Sequence, residues 1–282
     1  KTSVAAALAH LASAEVSVVL ADADVDAANL ELILAPRRLE EHRFMGGQLA
    51  LIDLDLCRPC GRCYDVCRFE AVIPGAETYR IDPLACEGCA TCVTQCPEAA
   101  IRMVEQQAGL WFRSDTRFGP LLHAHLFAGQ ENSGKLVTLV KQNGRLLAQD
   151  EGRGLLIVDG PPGIGCPVIS ASAGADLALL VTEPTVSGIH DLERILGTVD
   201  HFRVPALVLL NKADVNPVQS ALIEAYCRAQ GIELVGRLPY DTVVTEAMVE
   251  GQPVTVFQPD GPVALALRQV WLRLRERLAL LG

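Results

Sequence analysis

The chain has 282 residues, of which 50% are apolar and ten are cysteine, and its formal net charge is −10. This length and composition allow a full α/β core with a small second domain, and the acidic charge argues against broad nucleic-acid binding. No apolar run reaches the length of a membrane span and no signal peptide is evident, so we expect a protein of the reducing cytoplasm.

The first element is an alanine-rich helix that directly follows Lys1-Thr2. These two residues match the end of the phosphate-binding pattern G-x-x-x-x-G-K-T, so we expect its Gly-rich turn and the strand before it to lie upstream of residue 1. An apolar strand is predicted from Val16 to Leu20, and Asp22-Ala23-Asp24 follows it. Such short aliphatic runs between helices are typical of the buried parallel strands of a layered α/β sheet.

Two copies of one cysteine pattern come next, 29 residues apart. Each reads C-x2-C-x2-C-x3-C, the spacing of ferredoxin-type [4Fe-4S] ligands, in which the fourth cysteine binds the other cluster. Residues 51–105 are therefore predicted to form an inserted domain with two [4Fe-4S] clusters, between 1–50 and 106–282 of the main domain. The two predicted ligand sets are Cys57, Cys60, Cys63 and Cys96 for one cluster, and Cys86, Cys89, Cys92 and Cys67 for the other.

Disulfides and zinc are the alternatives for these cysteines. A chain of this length needs no disulfide staples, and zinc sites prefer two separated pairs. Two further cysteines lie outside the pattern: Cys166 is predicted to be a buried structural thiol, and Cys227 to fill the core or the surface of a helix.

A second glycine-lysine pattern occurs from Gly129 to Lys135, but Leu136 replaces the Ser or Thr that binds magnesium in a phosphate loop. We therefore expect a helix start there, capped by Asn132 or Ser133. Just before this segment, His123 and His125 alternate like one face of a strand. Without a third ligand such a pair is more often structural than metal-binding.

Three more apolar strands are predicted, and two of them end in polar motifs. They run from Leu155 to Val158, from Leu177 to Val181 and from Ala206 to Leu210. The first leads into Asp159-Gly-Pro-Pro-Gly163 and the last into Asn211-Lys-Ala-Asp214. Because ligands of open α/β sheets gather beyond the carboxyl ends of the strands, these motifs predict a nucleotide site.

The last predicted element is an amphipathic helix. Its apolar stripe consists of Leu267, Trp271, Leu274, Leu278 and Leu281, and arginines flank it. Such a helix either packs on the sheet, which we expect here, or lies on a membrane surface.

Together the motifs resemble the MinD/ParA/Mrp branch of P-loop ATPases, and in particular MinD-type ATPases with an inserted ferredoxin domain. The residues that carry this resemblance are Lys1-Thr2, Asp22 to Leu30, Glu131 to Val137, Asp159 to Gly163, Asn211 to Asp214 and Leu238 to Asp241. It implies a mostly parallel sheet with helices on both faces, and ATP and Mg²⁺ as cofactors.

The resemblance also implies roles for single residues. Lys1 would bind phosphate, with Thr2 and Ser3 beside it, and Thr2 and Asp159 would hold Mg²⁺. Asp24 would orient the attacking water, and Asn29 would belong to a nucleotide-sensing switch. Adenine would be held by Asn211, Asp214 and Pro239.

Three functions remain open. The first is an ATPase whose nucleotide state gates electron transfer through the clusters to an unknown partner. This ATPase is expected to form a homodimer that depends on ATP. The second is a cluster carrier of Mrp type that delivers to an apo-protein, although the C-terminal Cys-x-x-Cys of that branch is absent. The third is a redox-sensing or positioning switch without enzymatic function.

Overall fold

The computed structural model describes residues 1–130 and 132–279. Its strands are β1 (Val18–Asp22), β2 (Arg37–Ile52), β3 (Val72–Pro74), β4 (Tyr79–Ile81), β5 (Ile101–Thr116), β6 (Gly119–Leu126), β7 (Leu155–Asp159), β8 (Ala178–Thr182), β9 (Ala206–Leu210) and β10 (Glu233–Arg237). Its helices are α1 (Thr2–Ser13), α2 (Leu30–Leu34), α3 (Arg62–Asp65), α4 (Thr91–Gln95), α5 (Ser133–Asp150), α6 (Cys166–Ser172), α7 (Val186–His201), α8 (Pro217–Ala229), α9 (Val243–Val249), α10 (Val254–Phe257) and α11 (Pro262–Ala279).

The chain forms two compact units, and each of the strands β2 and β5 has residues in both of them. The first comprises Lys1–Glu41, Trp111–His125 and the chain from Ser133 onward, and the second comprises His42–Leu110 and Leu126–Asn132. The second unit is wider than the insertion expected at 51–105, because the strands that lead into and out of the cysteine region belong partly to it. The exact domain division remains a prediction.

The first unit is built on parallel strands. β1 pairs in parallel with both β6 and β7, and β9 pairs in parallel with both β8 and β10. The sheet orders are β2-β5-β6-β1-β7 and β10-β9-β8, so β7 and β8 each end a sheet. Every residue of β1 is buried, as its apolar sequence predicts.

The expectation that all four apolar strands are fully buried is wrong for β7 and β8. Their first four residues are only partly buried, and only the last residue of each, Asp159 and Thr182, is buried. The physical reason is their position, because within residues 1–130 and 132–279 each has a hydrogen-bonded neighbour on one side only. Both strands pack against the same apolar core through Leu155, Ile157, Leu179 and Val181.

Helix α1 and the C-terminal helix α11 cover this core. Alanines let α1 approach closely, and Ala6, Ala7 and Ala9 have no exposed surface. Leu267, Trp271 and Leu274 of α11 are buried in the same cluster, which confirms that this face packs against the protein. Leu281 lies outside the described residues. None of the helices within 1–130 and 132–279 is long and apolar enough to cross a membrane.

The second unit contains two copies of one local structure. The Asp53 amide donates to the Ala100 carbonyl at 2.8 Å, and the Asp82 amide donates to the Ala71 carbonyl at 2.7 Å. These bonds are related by the 29-residue offset of the cysteine pattern. Left-handed backbone recurs at the same offset, at Gly61 and Ala90 with φ of 79° and 59°. The sequence repeat is therefore a structural repeat.

Candidate functional site

Two buried carboxylates face each other at the carboxyl ends of neighbouring strands. Asp22 of β1 and Asp159 of β7 are register partners, with 0% and 3% of their surface exposed. Asp22 accepts hydrogen bonds from the backbone amides of Asp24, at 3.1 Å, and Leu30, at 3.0 Å. It therefore ties the loop after β1 and the first residue of α2 to the sheet. The sequence analysis gave Asp22 no role, although its position at the end of an apolar strand was visible.

Burial and mutual repulsion disfavour the charged forms of this pair. Burial, reinforced by the charge of Asp159, raises the pKa of Asp22 to about 7. Burial also raises the pKa of Asp159, and a hydrogen bond from the Thr2 side chain opposes that shift. One carboxylate oxygen of Asp159, Oδ2, is buried and has no hydrogen-bond partner among the described residues. An unpartnered oxygen beside a hydroxyl is a suitable ligand set for Mg²⁺.

Lys1 and Asp24 lie at the same edge. The Lys1 ammonium donates to the Gly160 carbonyl at 3.2 Å. Burial lowers the pKa of Lys1, while the charges of Asp159 and Asp24 oppose that shift. Burial raises the pKa of Asp24, and the Lys1 charge opposes it. The structure thus brings together Lys1, Thr2, Asp24 and Asp159, which lie far apart in sequence.

Ser3 and Asn29 have weaker links to this cluster. Ser3 is half-buried in α1 beside Thr2. Asn29 is exposed before α2, and its side-chain amide donates to the Ala27 carbonyl at 2.7 Å, so it is held within its own loop. The neighbouring Leu30 amide is bonded to Asp22, which links this loop to the carboxylate pair.

The loops predicted to hold adenine contact each other. The Asp214 carboxylate accepts from the Tyr240 amide at 2.7 Å, and the Ala213 amide donates to the Leu238 carbonyl at 2.8 Å. Pro239, between those partners, is half-buried. Backbone and side-chain bonds therefore join the Asn211–Asp214 turn to the loop after β10.

Glu183, which the sequence analysis missed, organises the start of that turn. It follows β8 and accepts from the Asn211 amide group at 3.2 Å, and it forms an ion pair of 2.9 Å with Lys212. An acidic residue just after an apolar strand was its only sequence signal.

All eight cysteines of the repeated pattern are free thiols in the second unit, and they line two open pockets. The two pockets are similar in size, as expected for two copies of one structure. The first pocket is lined by Cys57, Cys60, Cys63 and Cys96. The second is lined by Cys67, Cys86, Cys89 and Cys92. Each pocket thus takes three thiols from one repeat and the fourth from the other.

Within these pockets the thiols differ in exposure. Cys63 is buried, whereas Cys60 and Cys89 are exposed. Burial raises the pKa of Cys63 and of Cys92, while the hydroxyl of Thr91 lowers the pKa of Cys89. Cysteine thiolates are the usual ligands of iron-sulfur clusters, so both pockets suit such a cluster.

The two cysteines outside the pattern lie in the first unit. Cys227 is buried in the core, in agreement with prediction. The expectation that Cys166 is buried is wrong: it is exposed at the first residue of α6, because the loop after β7 ends there at the surface.

The second glycine-lysine segment is divided between the units. Gly129 belongs to the second unit, Glu131 lies outside the described residues, and α5 of the first unit begins at Ser133. A Cβ at Gly134 would lie 3.3 Å from that of Cys166, so this glycine allows close packing of α5 on α6.

Comparison with known proteins extends these observations. A protein of Methanocaldococcus jannaschii, itself uncharacterised, is 34% identical over 276 residues, covering 98% of this chain and 92% of that protein. An iron-sulfur cluster carrier protein of Aquifex aeolicus is 24% identical over 127 residues, covering 41% of this chain and 35% of that protein.

The fold is also similar to that of a solved structure. The septum site-determining protein MinD of Pyrococcus horikoshii, complexed with Mg-ADP, aligns over 100% of this chain and 93% of its own, with a TM-score of 0.56 and 16% identity. A sequence profile of the CobQ/CobB/MinD/ParA nucleotide binding domain matches residues 1–254. This chain therefore belongs to the CobQ/CobB/MinD/ParA family, with the α/β fold of the MinD-like P-loop ATPases.

Proposed function

We propose that this protein is an ATPase whose nucleotide state gates electron transfer through two [4Fe-4S] clusters to a partner protein. The observation that carries the proposal is the pair of pockets, each lined by four thiols drawn three from one repeat and one from the other. This exchange of the fourth ligand is typical of two-cluster ferredoxins. It has no counterpart in zinc sites built from separated cysteine pairs.

The nucleotide part rests on the buried carboxylate edge. Thr2 and the unpartnered oxygen of Asp159 would hold Mg²⁺, which when bound neutralises charge on the phosphates. Lys1 would bind the phosphates, together with the amide and hydroxyl of Ser3. Asp24 would orient the attacking water, while Asn211, Asp214 and Pro239 would bind the adenine.

A further strand with a Gly-rich loop would complete this site. β7 and β8 are parallel edge strands that are only partly buried although both pack on the same core. A strand between them would satisfy the free backbone groups of both edges, and its loop would supply amides for the phosphates.

Coupling would pass through the loop between β1 and α2. Phosphoryl transfer needs mainly positioning and charge stabilisation, so ATP binding and hydrolysis can order and release a loop such as Asp24 to Asn29. The Leu30 amide, held by the Asp22 carboxylate, anchors the end of this loop. Two chains would pair in the ATP state, and electrons would pass to a redox partner in the cytoplasm.

Substitution of exposed cysteines tests the clusters without disturbing the core. Cys60→Ser and Cys89→Ser each remove one exposed thiol from one pocket, and Cys166→Ser removes an exposed thiol outside both. Anaerobically reconstituted wild type and Cys166→Ser should contain about eight irons and eight sulfides per chain, whereas Cys60→Ser and Cys89→Ser should lose roughly half. Zinc in place of iron, or full iron content in the pocket variants, would refute the assignment.

A cluster carrier is the second candidate. It is favoured by the likeness to the iron-sulfur cluster carrier protein of Aquifex aeolicus and by the exposure of Cys60 and Cys89, which would let an acceptor reach both clusters. A carrier should transfer its iron to an apo-ferredoxin within minutes. An electron-transfer protein should retain its clusters in that assay and reduce the acceptor instead.

A further inference from the structure

The first unit contains a cluster of metal-ligand side chains that the nucleotide site does not use. Glu31 lies in α2, and His123 and His125 lie on β6. The Glu31 carboxylate is 3.1 Å from His123 Nδ1 and 3.1 Å from His125 Nε2. One ligand atom from each of the three side chains can be chosen so that all lie within 4.8 Å of one another. The third ligand that the histidine pair lacks in sequence is thus supplied by the fold.

His123 is oriented as a ligand would be. Its side chain is 1% exposed, and Nδ1 is buried without a hydrogen-bond partner among the described residues, although the Glu31 carboxylate is close. The other ring nitrogen, Nε2, is 2.9 Å from the Ser114 hydroxyl. Metal-bound histidines commonly use the second nitrogen for such a bond, which fixes the ring orientation. An unsatisfied buried nitrogen otherwise costs stability.

The ligand atoms lie near enough to one another to reach one ion. Two atoms bound at about 2.1 Å to one tetrahedral metal lie roughly 3.4 Å apart. The two 3.1 Å distances are to different oxygens of Glu31, and one ligand atom of each side chain lies within 4.8 Å of the others, so binding one ion requires these atoms to draw closer together. The exposed fractions of the Glu31 and His125 side chains are 23% and 39%, which leaves the ion an entry path and an open position for water.

The surroundings are compatible with a bound cation. Phe112 packs beside both rings, with centroid distances of 5.0 Å to His123 and 5.6 Å to His125. The Arg38 guanidinium, whose charge disfavours a cation at His123, stacks over the Phe112 ring at 3.9 Å and is paired with Glu41 at 3.2 Å. Part of its charge is therefore neutralised.

We propose that Glu31, His123 and His125 form a site for a borderline divalent transition metal such as Zn²⁺. Two imidazoles and a carboxylate suit zinc and ferrous iron better than magnesium or calcium, which prefer oxygen ligands. The ion joins α2 to β6. Its ligand Glu31 is two residues after Asn29 in the sequence. Metal binding at this site requires neither nucleotide nor iron-sulfur clusters.

Zinc binding to the full chain, with its cysteine pockets loaded anaerobically, tests the site. After removal of loose metal by gel filtration, the wild type should retain about one Zn²⁺ per chain, and X-ray absorption should give only nitrogen and oxygen neighbours at about 2.0–2.1 Å. His125→Gln and Glu31→Gln should weaken binding about 100-fold or more, and Ser114→Ala about 10–100-fold. His123 is unsuitable for substitution because it is buried.

His190→Gln is the matched control. His190 also faces a glutamate, Glu193 at 3.8 Å, and its side chain is 71% exposed. This variant should retain the wild-type stoichiometry. Zn²⁺ should raise the thermal midpoint of the wild type and the control but not of His125→Gln, while the three midpoints without metal agree. No retained zinc, zinc with sulfur neighbours at about 2.3 Å, or undiminished binding by His125→Gln would overturn the proposal.

Discussion

Asp22 and Asp159 concentrate negative charge where water has little access. Their strands place them side by side, and burial raises the pKa of both carboxyls, that of Asp22 to about 7. Such a pair costs free energy when both members are ionised, and a bound divalent cation offsets that cost. We therefore expect the pair to be less stable at neutral pH without a bound divalent cation than with one.

This charge pair predicts a pH dependence in the absence of Mg²⁺. The pKa of Asp22 is 3.8 when unperturbed and about 7 in the folded state, so the folded protein retains a proton that the unfolded chain releases. The contribution of Asp22 to the free energy of unfolding should be most favourable below about pH 4. It should fall by roughly a few kcal/mol as the pH rises towards 7. Asp22→Asn should flatten that slope in urea denaturation at pH 5 and pH 8. Asp26→Asn, at an exposed position in the same loop, should leave it unchanged; equal slopes for all three proteins would contradict the argument.

Substitution of Asp24 tests the proposed ATP hydrolysis. If Asp24 orients the attacking water, Asp24→Asn should bind ATP with near wild-type affinity and hydrolyse it about 10²–10⁴-fold more slowly. Phosphate release under saturating ATP measures the effect. Asp26→Asn again serves as the control, and its hydrolysis rate should match the wild type. A fast Asp24→Asn enzyme would assign that role to another residue.

At the scale of elements, α11 illustrates how an amphipathic stripe is used. Trp271 is 6% exposed, and its indole nitrogen donates to the Glu15 carboxylate at 3.2 Å. The same carboxylate pairs with Arg275 at 2.8 Å. The apolar face is therefore occupied by the core of the first unit, and the flanking arginine helps to hold the helix there.

Substitution in α11 distinguishes core packing from membrane contact. Trp271→Ala should lower the free energy of unfolding by about 3–5 kcal/mol, because it leaves a large cavity. Leu272→Ala, at a position 37% exposed, should change it by less than about 1 kcal/mol. Urea denaturation of both variants provides the comparison. Unchanged stability of Trp271→Ala with loss of binding to anionic vesicles would instead favour a membrane face.

Four strands of the first unit were predicted from the sequence. β1, β7, β8 and β9 begin and end within two residues of the predicted apolar runs, because parallel strands in a layered core need apolar side chains on both faces. The partial exposure of β7 and β8 was not predictable, because the sequence of a single strand does not show which position that strand takes in the sheet. β2 was not predicted, because its first five residues are exposed and largely charged.

Some residues of the candidate sites were likewise predictable from the sequence, and others were not. The cysteine pockets were predictable because fixed spacing and an internal repeat are local properties of the sequence. Glu183 and Glu31 were not identified, because each acts through residues distant in the chain. His123, for example, meets Glu31 only because β6 lies beside β1, from which the loop to α2 departs.

At the scale of the whole molecule, the candidate nucleotide site lies in one unit and the two cysteine pockets lie in the other. If nucleotide state gates electron transfer by shifting the cluster potentials, those potentials differ between the two nucleotide states. Thermodynamic linkage then requires the converse, that reduction of the clusters changes the affinity for nucleotide. This reciprocity separates gating from a protein that merely carries two independent sites.

Nucleotide affinity in the two redox states is therefore the most direct measurement. Anaerobic titration of a non-hydrolysable ATP analogue into oxidised and dithionite-reduced protein, with its Gly-rich loop and both clusters present, should give dissociation constants that differ about 5-fold or more. The cluster potentials with analogue and with ADP should differ in the corresponding direction. Equal dissociation constants, together with the same potentials in both nucleotide states, would contradict gating and leave the cluster carrier as the better account.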